Sequence, residues 1–283
     1  RILFQTLLLT GMTDFEVPAS GTPLTLEEET VEDFLARAGK LLAEYIRECF
    51  GVPEKLKVVE FASPDEIKAA FAKSGVEVSL INSVSGQGEE HLLEACRLTL
   101  KYSMRSNHEL YFNQLYGRID PVSLVGDWLV AAAHQNVHTF EAAPVMIVVE
   151  TEMVAKLAHL WLGGQEQPTH DGLFCPGGSI CNLYSLLLAK HRARPDSRDE
   201  GLAGKPPLVA FCSSESHYSY KKAAIVLGIG LNNLVGIPVT SSGGLDPEAL
   251  KVAIAEAKAA GKEPFFVGAT AGTTVIGAYD PFC

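Results

Sequence analysis

Apolar positions in the first hundred residues recur with the period of an α-helix. From Val31 to Cys49 they fall on one stripe, with Thr30 available to cap the first turn. The segments Pro64–Lys73 and Glu89–Met104 repeat this period. The pattern predicts an α-helical N-terminal arm over residues 1–105, whose apolar stripes need a partner surface.

Another helical pattern runs from Ala142 to Leu162 and is apolar on most of its faces. A helix of this kind has no polar side to present to water. The pattern therefore predicts a buried helix.

After Gly172 the pattern changes to short apolar runs that alternate with helical segments. The predicted strands are Leu208–Cys212, Leu234–Val239 and Pro264–Ala269, and the predicted helices are Gly178–His191, Ser216–Leu227 and Pro247–Ala260. In the last helix, Asp246 is the expected N-cap, Pro247 takes the first position and Gly261 lies just past the end. Alternating strands and helices predict an α/β domain over residues 106–283, with a mostly parallel sheet flanked by helices.

The composition is that of a soluble globular protein. Of the 283 residues 47% are hydrophobic, enough for a sizeable core, and the formal net charge is −11. Nucleic acid is not an expected partner, because a phosphate backbone needs a positive face and the chain has no dense Lys/Arg run. A membrane is not an expected partner either, since no later segment is long and apolar enough to span a bilayer.

The six cysteines are scattered, with no Cys-x-x-Cys pair and no His/Cys cluster at metal-binding spacing. This usage is typical of reduced thiols in a cytoplasmic protein and predicts no metal site. The N-terminal run RILFQTLLLTG resembles a secretion signal only superficially, because Met12 follows it and no small-residue cleavage pattern is clear. An added remnant or an incomplete start is the preferred interpretation of residues 1–11.

The segment DGLFCPGGSICN, from Asp171 to Asn182, has the clearest chemical signal, because two glycines lead directly into a helix. The first turn of a helix has unpaired backbone N–H groups and a positive dipole end, and glycine lets an anion approach that backbone. Ser179 and Cys181 add short polar side chains to the same turn. The alternative is that Pro176–Gly178 forms only a tight turn before the helix.

Two more polar segments follow predicted strands. SESHYSYKK follows the strand that ends at Cys212, and ATAGTT follows the strand that ends near Gly268. Ligands of parallel sheets bind beyond the carboxyl ends of the strands, where these segments and the Gly-Gly turn would converge. Taken singly, His217 is better explained as a surface or capping residue, and Thr270 as part of an ordinary strand-to-loop transition.

Together these residues resemble the group II amino-acid decarboxylases that depend on pyridoxal phosphate, in the branch of glutamate, cysteine sulfinate and aspartate decarboxylases. Five motifs occur in the family's order: YFNQLYGRID (Tyr111–Asp120), FEAAPV (Phe140–Val145), DGLFCPGGSICNLYS (Asp171–Ser185), SHYSYKKAA (Ser216–Ala224) and ATAGTTVIGAYDP (Ala269–Pro281). The resemblance runs from Val31 to Phe282. It implies the large domain of the PLP-dependent transferase-like fold (fold type I), preceded by the α-helical arm.

The resemblance also implies which residues hold the cofactor, pyridoxal 5′-phosphate (PLP). The residues expected to bind its phosphate, partly through backbone amides, are Gly178, Ser179, Ile180 and Cys181. His217 would stack on the pyridine ring and act catalytically on protonation at the substrate carbon, and Thr270 would lie beside the ring. The implied reaction is decarboxylation of a small acidic amino acid, in which the cofactor supplies the electron sink. The full-length protein is expected to be a homodimer.

The FNQ motif implies the substrate side of the site. Gln114, Leu115 and Tyr116 would reach the distal acid group of the substrate. An aromatic residue at Tyr116 is more similar to cysteine sulfinate and aspartate decarboxylases than to animal glutamate decarboxylases, where a small hydroxyl residue is usual. The chain departs from the family at Cys181, where serine is usual, at HELYFNQ in place of HPRFFNQ, and at Arg118 in place of glycine.

The chain stops at Cys283, before the family's HVDAAW-type and NPHK-type segments. Those segments carry the carboxylate that pairs with the pyridine nitrogen and the lysine that binds the cofactor covalently; Lys221 and Lys222 are poor substitutes. The chain is therefore expected to be truncated within its sheet and poorly behaved alone. The alternatives are an inactive product that acts as a binding or dimerisation partner, and an aminotransferase-like enzyme on the same fold.

Overall fold

The computed structural model describes residues 28–50, 56–76, 88–113, 115, 117–161 and 171–282. The helices are α1 (Glu28–Phe50), α2 (Pro64–Lys73), α3 (Glu89–Tyr102), α4 (Pro121–Ala133), α5 (Pro144–Trp161), α6 (Gly178–Ala193), α7 (Ser197–Glu200), α8 (Ser219–Val226) and α9 (Pro247–Ala259). The strands are β1 (Leu208–Ser213), β2 (Leu234–Ile237) and β3 (Glu263–Gly268), with a 3₁₀ turn at Leu231–Asn233. The alternation of strands and helices predicted after Gly172 is confirmed.

Spatial proximity divides the chain into two compact units, Arg1–Asp127 and Trp128–Cys283. The first unit contains α1, α2 and α3, the helices expected in the N-terminal arm. Helix α2 starts with a capping box, in which Ser63 Oγ accepts from the Glu66 amide and the Glu66 carboxylate accepts from the Ser63 amide. The domain boundary predicted after residue 105 remains a prediction.

The ends of several helices and strands differ from those predicted from the sequence. Helix α1 begins at Glu28, so Thr30 lies within the helix and is not its N-cap, because an apolar period locates a helix but not its first residue. Strand β2 ends at Ile237 because Pro238 has no N–H to donate to a ladder. The pattern missed α4, whose run of apolar residues around Gly126 has no polar side to mark a helical period.

The sheet of the second unit has the order β2-β1-β3, and both neighbours run parallel to β1. In the central register, Phe211 of β1 lies opposite Val235 of β2 and Val267 of β3. The mostly parallel sheet predicted from the alternating pattern is confirmed. Since the strands are parallel, their carboxyl ends lie at one edge of the sheet.

Strand β1 is buried along all six residues, and its side chains alternate between two apolar clusters. On one face Val209 and Phe211 pack with Ile237, Leu245 and the helix α9 residue Ala257. The other face has Cys212 in a cluster with residues of α6 and α8, namely Leu186, Tyr220, Ala223 and Ala224, together with Ile229. Helices therefore cover both faces of this strand, as a parallel sheet requires.

The connection from β2 to β3 has the predicted capping residues. Asp246 accepts hydrogen bonds from the amides of Glu248 and Ala249 at 2.9 and 3.3 Å, and Pro247 occupies the first position of α9. Gly261 follows the helix with φ of 70°, a left-handed conformation that suits glycine. The capping residues predicted for helix α9 are therefore confirmed.

Helix α5 is not buried, contrary to the prediction. Val145, Val148 and Val149 are each at least half exposed, and no residue of α5 is buried. An apolar helix is buried only where a partner surface exists. Within the described ranges α5 contacts the segment that starts at Asp171. Glu150 accepts a hydrogen bond from the Phe174 amide, and Val154 lies against Gly172. No helix in the described part of the chain is long and apolar enough to cross a membrane.

Replacing Leu186 with alanine is expected to lower the free energy of unfolding by about 2–5 kcal/mol, because its side chain is fully buried between α8 and the sheet. Leu188→Ala on the same helix is the matched control, since Leu188 is 67% exposed and its loss should cost less than about 0.5 kcal/mol. Urea unfolding followed by circular dichroism measures both. Equal losses for the two variants would contradict this core.

Candidate active site

The N-terminus of α6 lies at the carboxyl edge of the sheet. At the other end of the helix, Arg194 donates from Nη2 and Nε to Glu263 Oε2 at 2.6 and 3.1 Å, and Glu263 is the first residue of β3. Arg194 Nη2 also donates to the Pro206 carbonyl, just before β1. With its C-terminus tied to the strand starts, α6 runs antiparallel to the strands and directs its first turn toward their ends.

The turn before α6 has a backbone that only glycine adopts readily. Gly177 has φ of 95° and ψ of 156°, a region almost closed to other residues, and its amide donates to the Cys175 carbonyl at 2.7 Å. Intrahelical bonding starts at Ile180, whose amide donates to the Gly177 carbonyl at 3.1 Å. The amides of Gly178 and Ser179 precede that bond and lie at the exposed start of the helix.

This helix start fits a phosphate group. No side chain caps it, and a Cβ added to Gly177 or Gly178 would meet nothing within 4 Å, so an anion has open access to the backbone. The Ser179 side chain is exposed beside these amides, whereas Ile180 is half-buried. The donors suit a phosphate monoester, which accepts several N–H and O–H bonds at once. The binding roles of these residues stay predictions.

Two cysteines flank the Gly-Gly turn. Cys175 is half-buried before it and Cys181 is exposed in the first turn of α6. Desolvation by burial, together with the influence of the Cys181 thiol, raises the pKa of the Cys175 thiol.

His217 lies in the loop after β1, and a chain of hydrogen bonds joins it to α6. Asn182 Nδ2 donates to Ser219 Oγ at 2.8 Å, and Ser219 Oγ lies 2.8 Å from His217 Nδ1. The Ser219 amide also donates to His217 Nδ1, at 3.2 Å. Since Asn182 donates to the hydroxyl, the hydroxyl proton is directed at Nδ1. The neutral imidazole of His217 therefore carries its proton on Nε2.

The surroundings of His217 are aromatic and basic. The ring of Tyr218 lies 4.2 Å from the His217 ring, centroid to centroid, at an angle of 33°. Lys222 Nζ lies 4.6 Å from the centroid of the Tyr218 ring, a cation–π distance. Lys222 is thus engaged with Tyr218 on the outer side of the loop, and the imidazole keeps an exposed face.

Thr270 follows β3 at the same edge and is fixed by a buried carboxylate. Asp280, 3% exposed, accepts from the Thr270 amide through Oδ2 and from the Leu245 amide through Oδ1, both at 2.7 Å. The Asp280 amide donates back to the Thr270 carbonyl at 2.9 Å. Asp280 therefore joins the loop after β3 to the turn before α9, and holds Thr270 close to the end of the strand.

The substrate side is described only in part. Leu115 is 65% exposed, and its amide donates to Asn113 Oδ1 at 2.7 Å. Gln114 and Tyr116 lie outside the described residues. Leu115 belongs to the first unit of the chain, and the residues around α6 and His217 belong to the second.

Sequence reasoning assigned no role to Asn182, Ser219 or Asp280, although each lies within a quoted motif. The serine two residues after His217 was the available signal, because that spacing lets Ser219 return a hydrogen bond to Nδ1. The partners Leu245 and Thr270 are far from each other along the chain, so the role of Asp280 had no local signal. Within the ranges that the structure describes, no cluster of acidic, histidine or cysteine side chains could hold a metal ion.

Comparison with known sequences supports the motif analysis. The family model for the pyridoxal-dependent decarboxylase conserved domain matches residues 78–282. The human acidic amino acid decarboxylase GADL1 is 38% identical over 258 residues, which make up 91% of this chain and 47% of that protein. The chain thus spans about half the length of the curated relative it matches.

Solved structures show the same architecture. Mouse CSAD in its apo form has a TM-score of 0.82 and 35% identity, covering 90% of this chain and 51% of that one. Oryza sativa TDC with PLP and tryptamine has a TM-score of 0.76 and 22% identity, covering 92% of this chain and 55% of that one, and at this identity shows the fold alone. The fold class expected from the sequence is confirmed.

Changing Ser219 to alanine is expected to weaken the preference of His217 for the Nε2–H tautomer, because the hydroxyl that donates to Nδ1 is lost and only the longer bond from the backbone amide of residue 219 remains. Nitrogen-15 chemical shifts of the imidazole above its titration range report the proton's position, with mostly Nε2–H in the parent and a mixture in the variant. Ser214→Ala, at an exposed serine of the same loop, is the matched control and should leave the tautomer unchanged. An Nδ1–H imidazole in the parent would contradict the hydrogen-bond chain.

Proposed function

The chain belongs to the pyridoxal-dependent decarboxylase family, and on that premise we propose that the whole protein releases carbon dioxide from a small acidic amino acid with PLP as its cofactor. One observation carries the proposal. The open glycine turn at the start of α6, the imidazole of His217 and the backbone of Thr270 all lie beyond the carboxyl ends of parallel strands, where ligands of such sheets bind.

In this proposal the start of α6 binds the phosphate of the cofactor. The amides of Gly178 and Ser179 and the Ser179 hydroxyl donate to it, and the positive end of the helix dipole favours its charge. Thr270 lies beside the cofactor ring on a backbone held by Asp280. When bound, PLP supplies the electron sink for the carbanion left by the departing carbon dioxide.

His217 contributes a flat ring and a positioned proton. Ser219 orients the imidazole by occupying Nδ1 with its hydroxyl and its amide, and Asn182 orients that hydroxyl, which leaves Nε2 as the nitrogen that exchanges a proton with the reacting groups. A ring held by two donors at Nδ1 loses less rotational freedom on binding a planar partner. Ser219 and Asn182 act on the reaction through His217 and are positioning residues.

The substrate proposal rests on relatives and on the FNQ motif. Human GADL1, which is 38% identical to this chain, is named as an acidic amino acid decarboxylase. Gln114, Leu115 and Tyr116 are proposed to reach the distal acid group, and the aromatic Tyr116 favours cysteine sulfinate or aspartate over glutamate. The exposed side chain of Leu115 is free to contact a ligand.

The whole protein is further proposed to be a cytoplasmic homodimer. Large apolar side chains of α4 and α5, among them Trp128, Leu129 and Trp161, are 45–77% exposed, as on a surface that a partner covers. All the cysteines in the described ranges are free thiols, which suits a reducing compartment. Among the described residues, no helix could span a bilayer.

The complete protein, loaded with PLP, is expected to release carbon dioxide and form an amine from at least one of cysteine sulfinate, aspartate and glutamate. Capture of labelled carbon dioxide and chromatography of the products measure the reaction. No release from any of the three acids would overturn the proposal. A keto acid in place of an amine would favour the aminotransferase alternative, and the family match at residues 78–282 favours decarboxylation.

Changing Gly177 to alanine is expected to weaken phosphate binding about tenfold, because this backbone costs a residue with a Cβ on the order of 1–3 kcal/mol. Pyridoxine 5′-phosphate is the probe, since it has the phosphate but no aldehyde, and unphosphorylated pyridoxine is the comparison ligand. Gly126→Ala in α4, where the new Cβ also meets nothing, is the matched control. Equal affinities for all three proteins would show that this turn does not bind the phosphate.

A further inference from the structure

The FNQ motif lies in a part of the first unit, residues 109–118, that has little packing of its own. Its described apolar side chains Leu110, Phe112 and Leu115 are 65–87% exposed. In the part of the chain that the structure describes, no helix or strand includes these three residues. A stretch of this kind, here called the FNQ segment, takes a fixed position only if the chain at its two ends is held.

The chain just before the FNQ segment is bonded to three successive carbonyls ahead of α2. The Arg105 amide donates to the Val58 carbonyl at 2.8 Å, and Arg105 Nη1 donates to the Lys57 carbonyl at 2.9 Å. His108 Nε2 lies 2.8 Å from the Leu56 carbonyl, to which it donates. The side chains of Arg105 and His108 are buried, so these bonds are shielded from water.

Both ring nitrogens of His108 are bonded to the main chain. The Leu56 carbonyl can only accept, so Nε2 carries the proton, and the Leu110 amide donates to Nδ1 at 3.1 Å. The His108 carbonyl in turn accepts from the Tyr111 amide at 2.9 Å. One side chain thus joins a distant segment to the first residues of the FNQ segment, and sets the direction in which the chain enters it.

Asn107 holds the other end of the FNQ segment. Its Oδ1 accepts from the Ile119 amide, 12 residues further along the chain, at 2.6 Å. The Asn107 side chain is 2% exposed, and Ile119 is half-buried. Without this acceptor a partly buried N–H would lose its partner, and the chain after the segment would lose its tie to the chain before it.

We propose that Asn107 and His108 are positioning residues, which fix the two ends of the FNQ segment so that its side chains are held ready for the distal acid group of the substrate. The contact with substrate rests on the proposed function, whereas the fixing of the segment does not. Neither residue touches the reacting atoms in this proposal. They act through the chain that they hold.

The proposal predicts which kinetic constant changes. The distal acid group takes no part in the bond that breaks, so a contact with it stabilises the bound substrate and the transition state alike. Loss of such a contact raises KM and leaves kcat nearly unchanged. Damage to the fold or to the cofactor site would lower kcat or the amount of active protein instead.

The test compares variants of the complete protein loaded with PLP, on whichever of cysteine sulfinate, aspartate and glutamate the parent decarboxylates fastest. Asn107→Leu keeps a branched side chain but removes the acceptor for the Ile119 amide, and His108→Ala removes both imidazole bonds. Each is expected to raise KM at least tenfold, with kcat within about threefold of the parent. A parent KM in both variants, or a loss of kcat at unchanged KM, would overturn the proposal.

Two further variants provide the matched controls. In His108→Gln the side-chain amide nitrogen takes the place of Nε2 and donates to the Leu56 carbonyl, so KM should return to within about threefold of the parent. Glu109→Gln changes an exposed neighbour and should leave both constants unchanged. A His108→Gln variant as impaired as His108→Ala would overturn the role of the bond to Leu56.

Hydrogen exchange of the backbone amides, read by mass spectrometry, tests the fixing of the segment without any reaction. Peptides that contain Leu110 or Ile119 are expected to exchange at least tenfold faster in His108→Ala and Asn107→Leu respectively, while peptides of α6 keep the parent rate. Equal rates in parent and variants would show that these side chains do not hold the segment. A parent that decarboxylates none of the three acids would count against the proposed function, and the exchange rates would still decide whether the segment is held.

Discussion

Burial of β1 on both faces is the constraint on which the second unit depends. A strand with no face to water needs a parallel neighbour on each side and helices above and below, and α6, α8 and α9 supply that cover. Each helix returns the chain to the start of the next strand, so every loop after a strand opens at the same edge. Burial of the apolar residues of β1 thus brings the polar residues of this edge together.

The site at that edge is held by hydrogen bonds that join separate elements. Arg194 joins the far end of α6 to β3, Asn182 joins its near end to the start of α8, and Asp280 joins the loop after β3 to the turn before α9. Bonds to a buried carboxylate are worth about 1.5–3 kcal/mol each, and an unpaired one would cost more. The glycine turn can remain open to a ligand because these contacts, and not its own packing, fix its position.

The openness of the turn also exposes its side chains to a bound anion. A backbone that keeps its amides unpaired for an anion also leaves the side chains of its first turn exposed, and here one of them is Cys181. Serine at this position would donate to an anion more strongly than a thiol does. With cysteine the chain keeps the backbone donors and has a weaker side-chain donor beside them.

Much of the second unit follows from local sequence. The apolar runs of β1, β2 and β3 and the capping residues around Pro247 predict their elements to within a few residues, because periodicity and capping are properties of adjacent residues. Helices α1, α2 and α3 were also predicted, apart from the start of α1, whereas α4 was missed entirely. The exposure of α5 could not be predicted in this way, since an apolar helix is buried only if some other part of a protein covers it.

By itself the sequence determined the parallel α/β order and the five motifs, and so where a ligand should lie. Only the tertiary structure decided which atoms meet there: Ser219 Oγ with His217 Nδ1, and Asp280 with the amides of Thr270 and Leu245. The physical reason is the distance along the chain over which each kind of interaction acts. Propensity and hydrophobic period act between neighbours along the chain, whereas a hydrogen bond between residues 35 positions apart exists only once the sheet has brought them together.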